Sequence, residues 1–199
     1  MLLLLPSDWF CDRKKVRYRE LSRDWNDHWL RTLSHGMHAI DFARAALGTW
    51  LLLDSLHTVP NARGLAKYSV LLTQGAIRIV AVWIQTVVCR NPDSANAPFA
   101  FVTGTLLTGL SPLAAVFALA FAIPIAMGTH TPAAFFPVVG IMHFAMGFWF
   151  KGKGAVLGLS FGAVAAMLPL VWALAFHREL VVTYRAKRAT AGQALPPLR

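Results

Sequence analysis

Four stretches of this chain, residues 68–89, 98–127, 132–150 and 155–177, run with almost no charge for the roughly 20 residues that a helix needs to cross a bilayer. Lipid offers no partner to a backbone N–H or C=O. A segment placed in it must satisfy both groups internally, and the α-helix does so. This feature predicts an all-α integral membrane protein built on a bundle of four transmembrane helices. The second stretch is long and contains Pro112 and Pro124, which predicts a tilted or kinked single span.

Composition agrees with this class. Apolar residues make up 56% of the 199 positions and charged residues 14%, with a mean hydropathy of +0.52, too apolar for an ordinary soluble domain. The 19 Lys and Arg outnumber the 9 Asp and Glu, and most lie near the two termini. Basic clusters flanking apolar spans record cytoplasmic retention and contact with anionic lipid headgroups, so the charge is no argument for nucleic-acid binding. Cys11 and Cys89 have no spacing that implies a disulfide framework or a thiolate metal site. The opening MLLLLP is too short for a signal-peptide core, and no cleaved presequence is expected.

Residues 1–37 read as a basic N-terminal segment. Within residues 13–35, Tyr18, Leu21, Trp25, Trp29 and Leu33 fall in one stripe at 100° per residue. The pattern predicts an amphipathic helix in the membrane interface, with Tyr18, Trp25 and Trp29 as its anchors. The same stripe would also serve a helix docked on a partner's surface.

Residues 38–60 are ambiguous. Their uninterrupted apolar core, Ala45 to Leu53, is bounded by Asp41 and Arg44 before it and by Asp54 and His57 after it. If the segment does not cross, 15 basic residues fall on the cytoplasmic side and 3 outside; if it crosses, the division is ten to seven. The stronger positive-inside bias favours four spans, both termini cytoplasmic and a re-entrant or interfacial segment at 38–60. A fifth span is the alternative. Residues 178–199 read as a short helical exit followed by a basic tail.

The first span carries the polar groups that most need explaining. With Gln74 as zero, Arg78 lies at about 40° and Gln85 at about 20°, so the three form one stripe down an otherwise Ile, Val and Leu helix. A charge at mid-membrane costs about 2.5–3.5 kcal/mol even on the lenient insertion scale. The guanidinium therefore faces protein, a partner or water. Three arrangements meet that demand: pairing with Asp41 or Asp54 inside the chain, the lining of a pore or anion-binding cavity, and a polar seam against another subunit. Acids are too scarce beyond the N-terminal segment for a two-carboxylate proton relay in one chain.

Gly154, Gly158, Gly162 and Ala166 recur at i+4 and predict a groove for close helix packing. Gly158, Ser160 and Gly162 also spell G-x-S-x-G, but that elbow needs a strand before the turn. A Ser160 and His143 pair inside the membrane lacks an oxyanion donor, and no enzyme is expected. His143, with Gly140 and Gly147 a turn away on either side, has the setting of an axial ligand to haem or (bacterio)chlorophyll, or of a packing residue. Asp24, His28 and His35, with His38 nearby, superficially resemble a metal set. Thr103, Thr105, Thr108 and Ser111 precede Pro112, where hydroxyls satisfy carbonyls that a proline frees; Thr105 and Thr108 would also suit a pore lining.

Two functions fit these features. One is a non-catalytic accessory subunit of a multi-subunit complex in a bacterial cytoplasmic membrane, with other membrane subunits or copies of itself as partners; a pigment- or haem-carrying subunit is its variant. The other is a small homo-oligomeric channel or carrier, in which Gln74, Arg78 and Gln85 line a path for an anion or small polar solute.

Overall fold

The computed structural model describes residues 3–6, 15–17, 36–57, 65–88, 93–109, 112–129, 132–152 and 156–183. Most of these lie in six α-helices: α1 (Gly36–His57), α2 (Leu65–Val87), α3 (Phe99–Gly109), α4 (Pro112–Gly128), α5 (Phe135–Lys151) and α6 (Val156–Ala175). A 3₁₀ turn, Pro132–Ala134, leads into α5. Three short strands, β1 (Lys15–Arg17), β2 (Ser94–Asn96) and β3 (Glu179–Thr183), form one sheet in the order β1-β3-β2.

The segment 98–127 is not one kinked helix. It divides at Gly109 and restarts at Pro112, a glycine at a helix end and a proline at a helix start being the usual stop and start signals. The chain then doubles back. Phe99, Ala100 and Thr103 of α3 line the same cleft as Leu119 and Ile123 of α4, whereas a continuous helix would hold residues 99 and 123 about 36 Å apart. α3 is therefore a short arm of 11 residues, about 16 Å long, in a helical hairpin.

Of residues 38–60, those up to His57 belong to the continuous 22-residue helix α1 and 58–60 lie outside the described residues; α3 is the short element. α1 runs parallel to α3 and lies directly on it, because Gly104 has no side chain: a Cβ there would come within 2.5 Å of the Phe42 carbonyl oxygen.

Small residues set the other helix contacts. A Cβ at Gly75 on α2 would meet the Phe161 ring of α6 at 2.3 Å, and one at Gly140 on α5 would meet Met167 of α6 at 2.9 Å. Trp83 and Trp172 close the α2–α6 contact edge to face, 5.9 Å apart at 77°. Where α3 and α5 begin, Phe99 stacks on Phe136 at 5.0 Å and meets Phe135 edge-on at 5.1 Å. Phe101, Val102 and Val139 are fully buried around them.

The sheet corrects two helical expectations. Residues 15–17 are extended and pair antiparallel with β3, Val16 opposite Val182, and residues 179–183 continue as strand after α6. β2 pairs parallel with β3 on its other edge. Adjacent β-branched residues in LVVT suit a strand, and His177, at φ +50°, ends the helix before them. The fold is thus a helical bundle with a small sheet at one end, where residues 15–17 meet residues 179–183.

Two helical stretches, Tyr68–Val87 and Val156–Ala175, are long and apolar enough to cross a membrane. Phe99–Gly109, Leu113–Ala126 and Phe135–Lys151 are shorter apolar helices. The outward faces carry large apolar side chains, Trp149 at 83% exposure and Leu174 at 67% among them.

Candidate functional site

Gln74, Arg78 and Gln85 all turn into the interior of the single chain and are buried. The stripe nevertheless divides into two centres. At the sheet end, Gln85 donates to the carbonyl oxygen of Leu5 at 2.7 Å and accepts a bond from Arg44 at 3.1 Å. Arg44 also donates to Leu5 O and pairs with Asp41 at 3.2 Å, one turn earlier on α1. Its guanidinium carbon lies 5.3 Å from the Phe101 ring centroid.

This centre ties the N-terminus into the bundle. Leu3 is 5% exposed and rests on Gly48, where a Cβ would meet its Cγ at 2.7 Å. The expected partners of Arg78 are accordingly elsewhere: Asp41 belongs to Arg44, and Asp54 is exposed on the last turns of α1. Sequence reasoning treated Arg44 only as a boundary of an apolar core. Its i,i+3 spacing from Asp41 was the available signal.

Arg78 occupies the second centre. It is 9% exposed, and its Nε is buried with no hydrogen-bond partner. Its Nη1 lies against Gly109, 3.1 Å from where a Cβ would stand. Lys151, at the end of α5, donates to Gly109 O at 3.0 Å. Among the described residues no carboxylate pairs with either cation.

Helix lengths explain why these groups meet. α2 ends and α3 begins beside β2, where Asn96 donates to Val88 O at 2.8 Å. Arg78 stands nine residues before the end of α2, and Gly109 ten residues after the start of α3, so both lie about 15 Å from that end. The last turn of a helix leaves carbonyl oxygens without intrahelical donors and carries about half a negative charge. α3 delivers that end to the depth of Arg78, with Lys151 reaching it from α5.

His143 lies under α6. It is 2% exposed, a Cβ on Gly162 would stand 2.1 Å from its Nε2, and its Nδ1 is buried without a hydrogen bond. The glycine groove is therefore filled in part by the chain's own helix. Ala166 is buried, Gly158 has nothing within 4 Å, and Gly154 lies outside the described residues. Ser160 donates to Val156 O at 2.9 Å, a bond within its own helix. Thr105 and Thr108 likewise donate to Val102 O at 2.7 Å and Gly104 O at 3.1 Å.

Thr103 and His38 line a largely apolar cleft of about 280 Å³ between α1, α3, α4 and α5. Tyr18, Trp25 and Trp29, the intended interface anchors, lie outside the described residues, as do Asp24, His28, His35 and Ser111. Comparison with protein-family models, curated proteins and solved structures gives no match.

Proposed function

We propose that this chain is a multi-pass integral membrane protein whose helical core handles an anion or a small anionic solute at Arg78, as a channel or carrier. The observation that carries the reading is the buried Arg78 guanidinium, unpartnered at Nε and set at the end of the half-length helix α3. Membrane transporters place interrupted-helix ends at solute sites, N-terminal ends toward anions and C-terminal ends toward cations. The end of α3 here is C-terminal, so the attraction for an anion comes from Arg78 itself. An unpaired charge in such a setting marks a functional position.

Membrane insertion draws on the outer surface. Large apolar side chains face outward on every helix of full length, with Trp83 and Phe176 among them toward the sheet and Trp50, Trp149 and Phe150 toward the other end. Tryptophans at both ends suit the two interfaces of a bilayer. With α1, α2, α5 and α6 crossing and the α3–α4 hairpin re-entrant, the sequence segments before α1, between α2 and α3 and after α6 carry 13 Lys and Arg, against four, Arg63, Lys67, Lys151 and Lys153, around the α1–α2 and α5–α6 connections. On that bias we read the sheet end as cytoplasmic, a bacterial cytoplasmic membrane being the expected location.

A second reading, an accessory subunit of a larger complex, is favoured by Gly158, whose open notch on α6 would admit a partner helix. The Arg78 stripe no longer supports it, since the stripe faces this chain's own interior. Anion flux into proteoliposomes separates the two. The carrier reading predicts flux above protein-free liposomes that Arg78→Gln abolishes while helix content is kept; equal flux from protein-free liposomes would leave the accessory reading.

A further inference from the structure

We infer that Arg78 and Lys151, which converge beside the end of α3 at Gly109, form a binding site for a single oxyanion group, a carboxylate or a phosphate. The inference rests on the Arg78 reading above and deepens it by naming the ligand class and a second binding residue.

Charge balance gives the first argument. Two full positive charges converge on Gly109, whereas the end of α3 supplies only about half a unit of negative charge. Among the described residues no acid makes up the difference. Lys151 is exposed to solvent, but the buried charge of Arg78 left uncompensated is strongly unfavourable, so the arrangement favours an anion from outside the chain.

Geometry gives the second. The free Nε belongs to the edge of the guanidinium that, with an adjacent Nη, offers two parallel N–H donors. Carboxylate and phosphate oxygens match that fork in bidentate fashion, and a spherical halide does not. Lys151 spends one of its three donors on Gly109 O and keeps two for a ligand. The missing side chain at Gly109 is what lets Nη1 stand there, 3.1 Å from the Cβ position, and any larger residue would displace it.

The same oxyanion can reach this site as a free solute or as the phosphate of a lipid headgroup. Thermal unfolding of the full chain in nanodiscs distinguishes these sources. In phosphatidylcholine discs, sodium phosphate or sodium acetate is expected to raise Tm saturably, by about 5 °C or more at a hundredfold excess over Kd, while sodium chloride at matched ionic strength does not. In phosphatidylglycerol discs without added anion, a rise that Arg78→Gln removes would assign the site to the headgroup.

Arg78→Gln is expected to abolish either response. Lys151→Ala is expected to weaken it by roughly ten- to a hundredfold in apparent Kd, and Lys151 is exposed, so its truncation tests the site even if Arg78→Gln fails to fold. Absence of any Arg78- or Lys151-dependent rise with phosphate, acetate or phosphatidylglycerol would overturn the inference. Binding without flux would leave the site standing and remove the carrier; flux without oxyanion binding would do the reverse.

Discussion

Arg44 and Gln85 meet at one carbonyl: both donate to Leu5 O, and Arg44 also donates to Gln85 Oε1 at 3.1 Å. Two helices and Leu5 are joined through three bonds among part-buried polar groups. Removing either side chain leaves the other's partners unsatisfied, so Arg44→Leu and Gln85→Leu should each cost about 1–3 kcal/mol. A double-mutant cycle should give a coupling energy of about 0.5–3 kcal/mol. Strict additivity in chemical denaturation would show that the two side chains act independently.

Gly162 and Gly158 are one turn apart on α6 and should respond oppositely. A side chain at Gly162 would collide with the buried His143 ring at 2.1 Å, whereas Gly158 has nothing within 4 Å. Gly162→Leu should destabilise by about 1–3 kcal/mol, the usual cost of overpacking. Gly158→Ala should be neutral or stabilising by up to about 1 kcal/mol, from helix propensity alone. Unfolding midpoints that fall together in the two variants would mean that the groove is occupied along its length.

Gly104 is the more severe test of how α1 is seated. The atom in the way is the Phe42 carbonyl oxygen, 2.5 Å from an added Cβ, and backbone cannot swing aside as a side chain can. Gly104→Ala should therefore destabilise despite alanine's higher helix propensity, with α1 the first helix to gain amide exchange. Unchanged protection of residues 36–57 would contradict the contact.

What the sequence disclosed followed from local periodicity. Helix content, the burial of Gln74, Arg78 and Gln85, and the close-packing role of Gly162 and Ala166 were legible, because each depends on spacing along one helix. The partners were not. Asp41 was expected to serve Arg78, yet Arg44, three residues away, takes it, and only the three-dimensional register of α1 against α2 decides that. Pro112 was read as a kink within 98–127, since a proline alone does not distinguish a bend from a reversal; Gly109 before it was the missing cue. The strand at 179–183 was hidden because a Val-rich run after a long apolar helix reads as its continuation until pairing with residues 15–17 and 94–96 is seen.

Sidedness follows from the helix directions. Asp93 and His177 are exposed at the sheet end, and Ser55 is exposed at the far end of α1. In a background lacking Cys11 and Cys89, Asp93→Cys and His177→Cys should react with an impermeant thiol reagent from one side of the membrane and Ser55→Cys from the other. Labelling of all three from one side would exclude a crossing by α1.

The most direct test looks at Arg78 Nε, a buried donor without a hydrogen-bond partner. In ¹⁵N spectra of the membrane-reconstituted chain, the Arg78 Nε resonance, assigned by its loss in Arg78→Gln, should move saturably as phosphate or acetate is added and stay fixed with chloride. An Nε signal unmoved by every oxyanion, including an anionic lipid headgroup, would mean that Arg78 serves only the end of α3 and that the core of this protein holds no anion site.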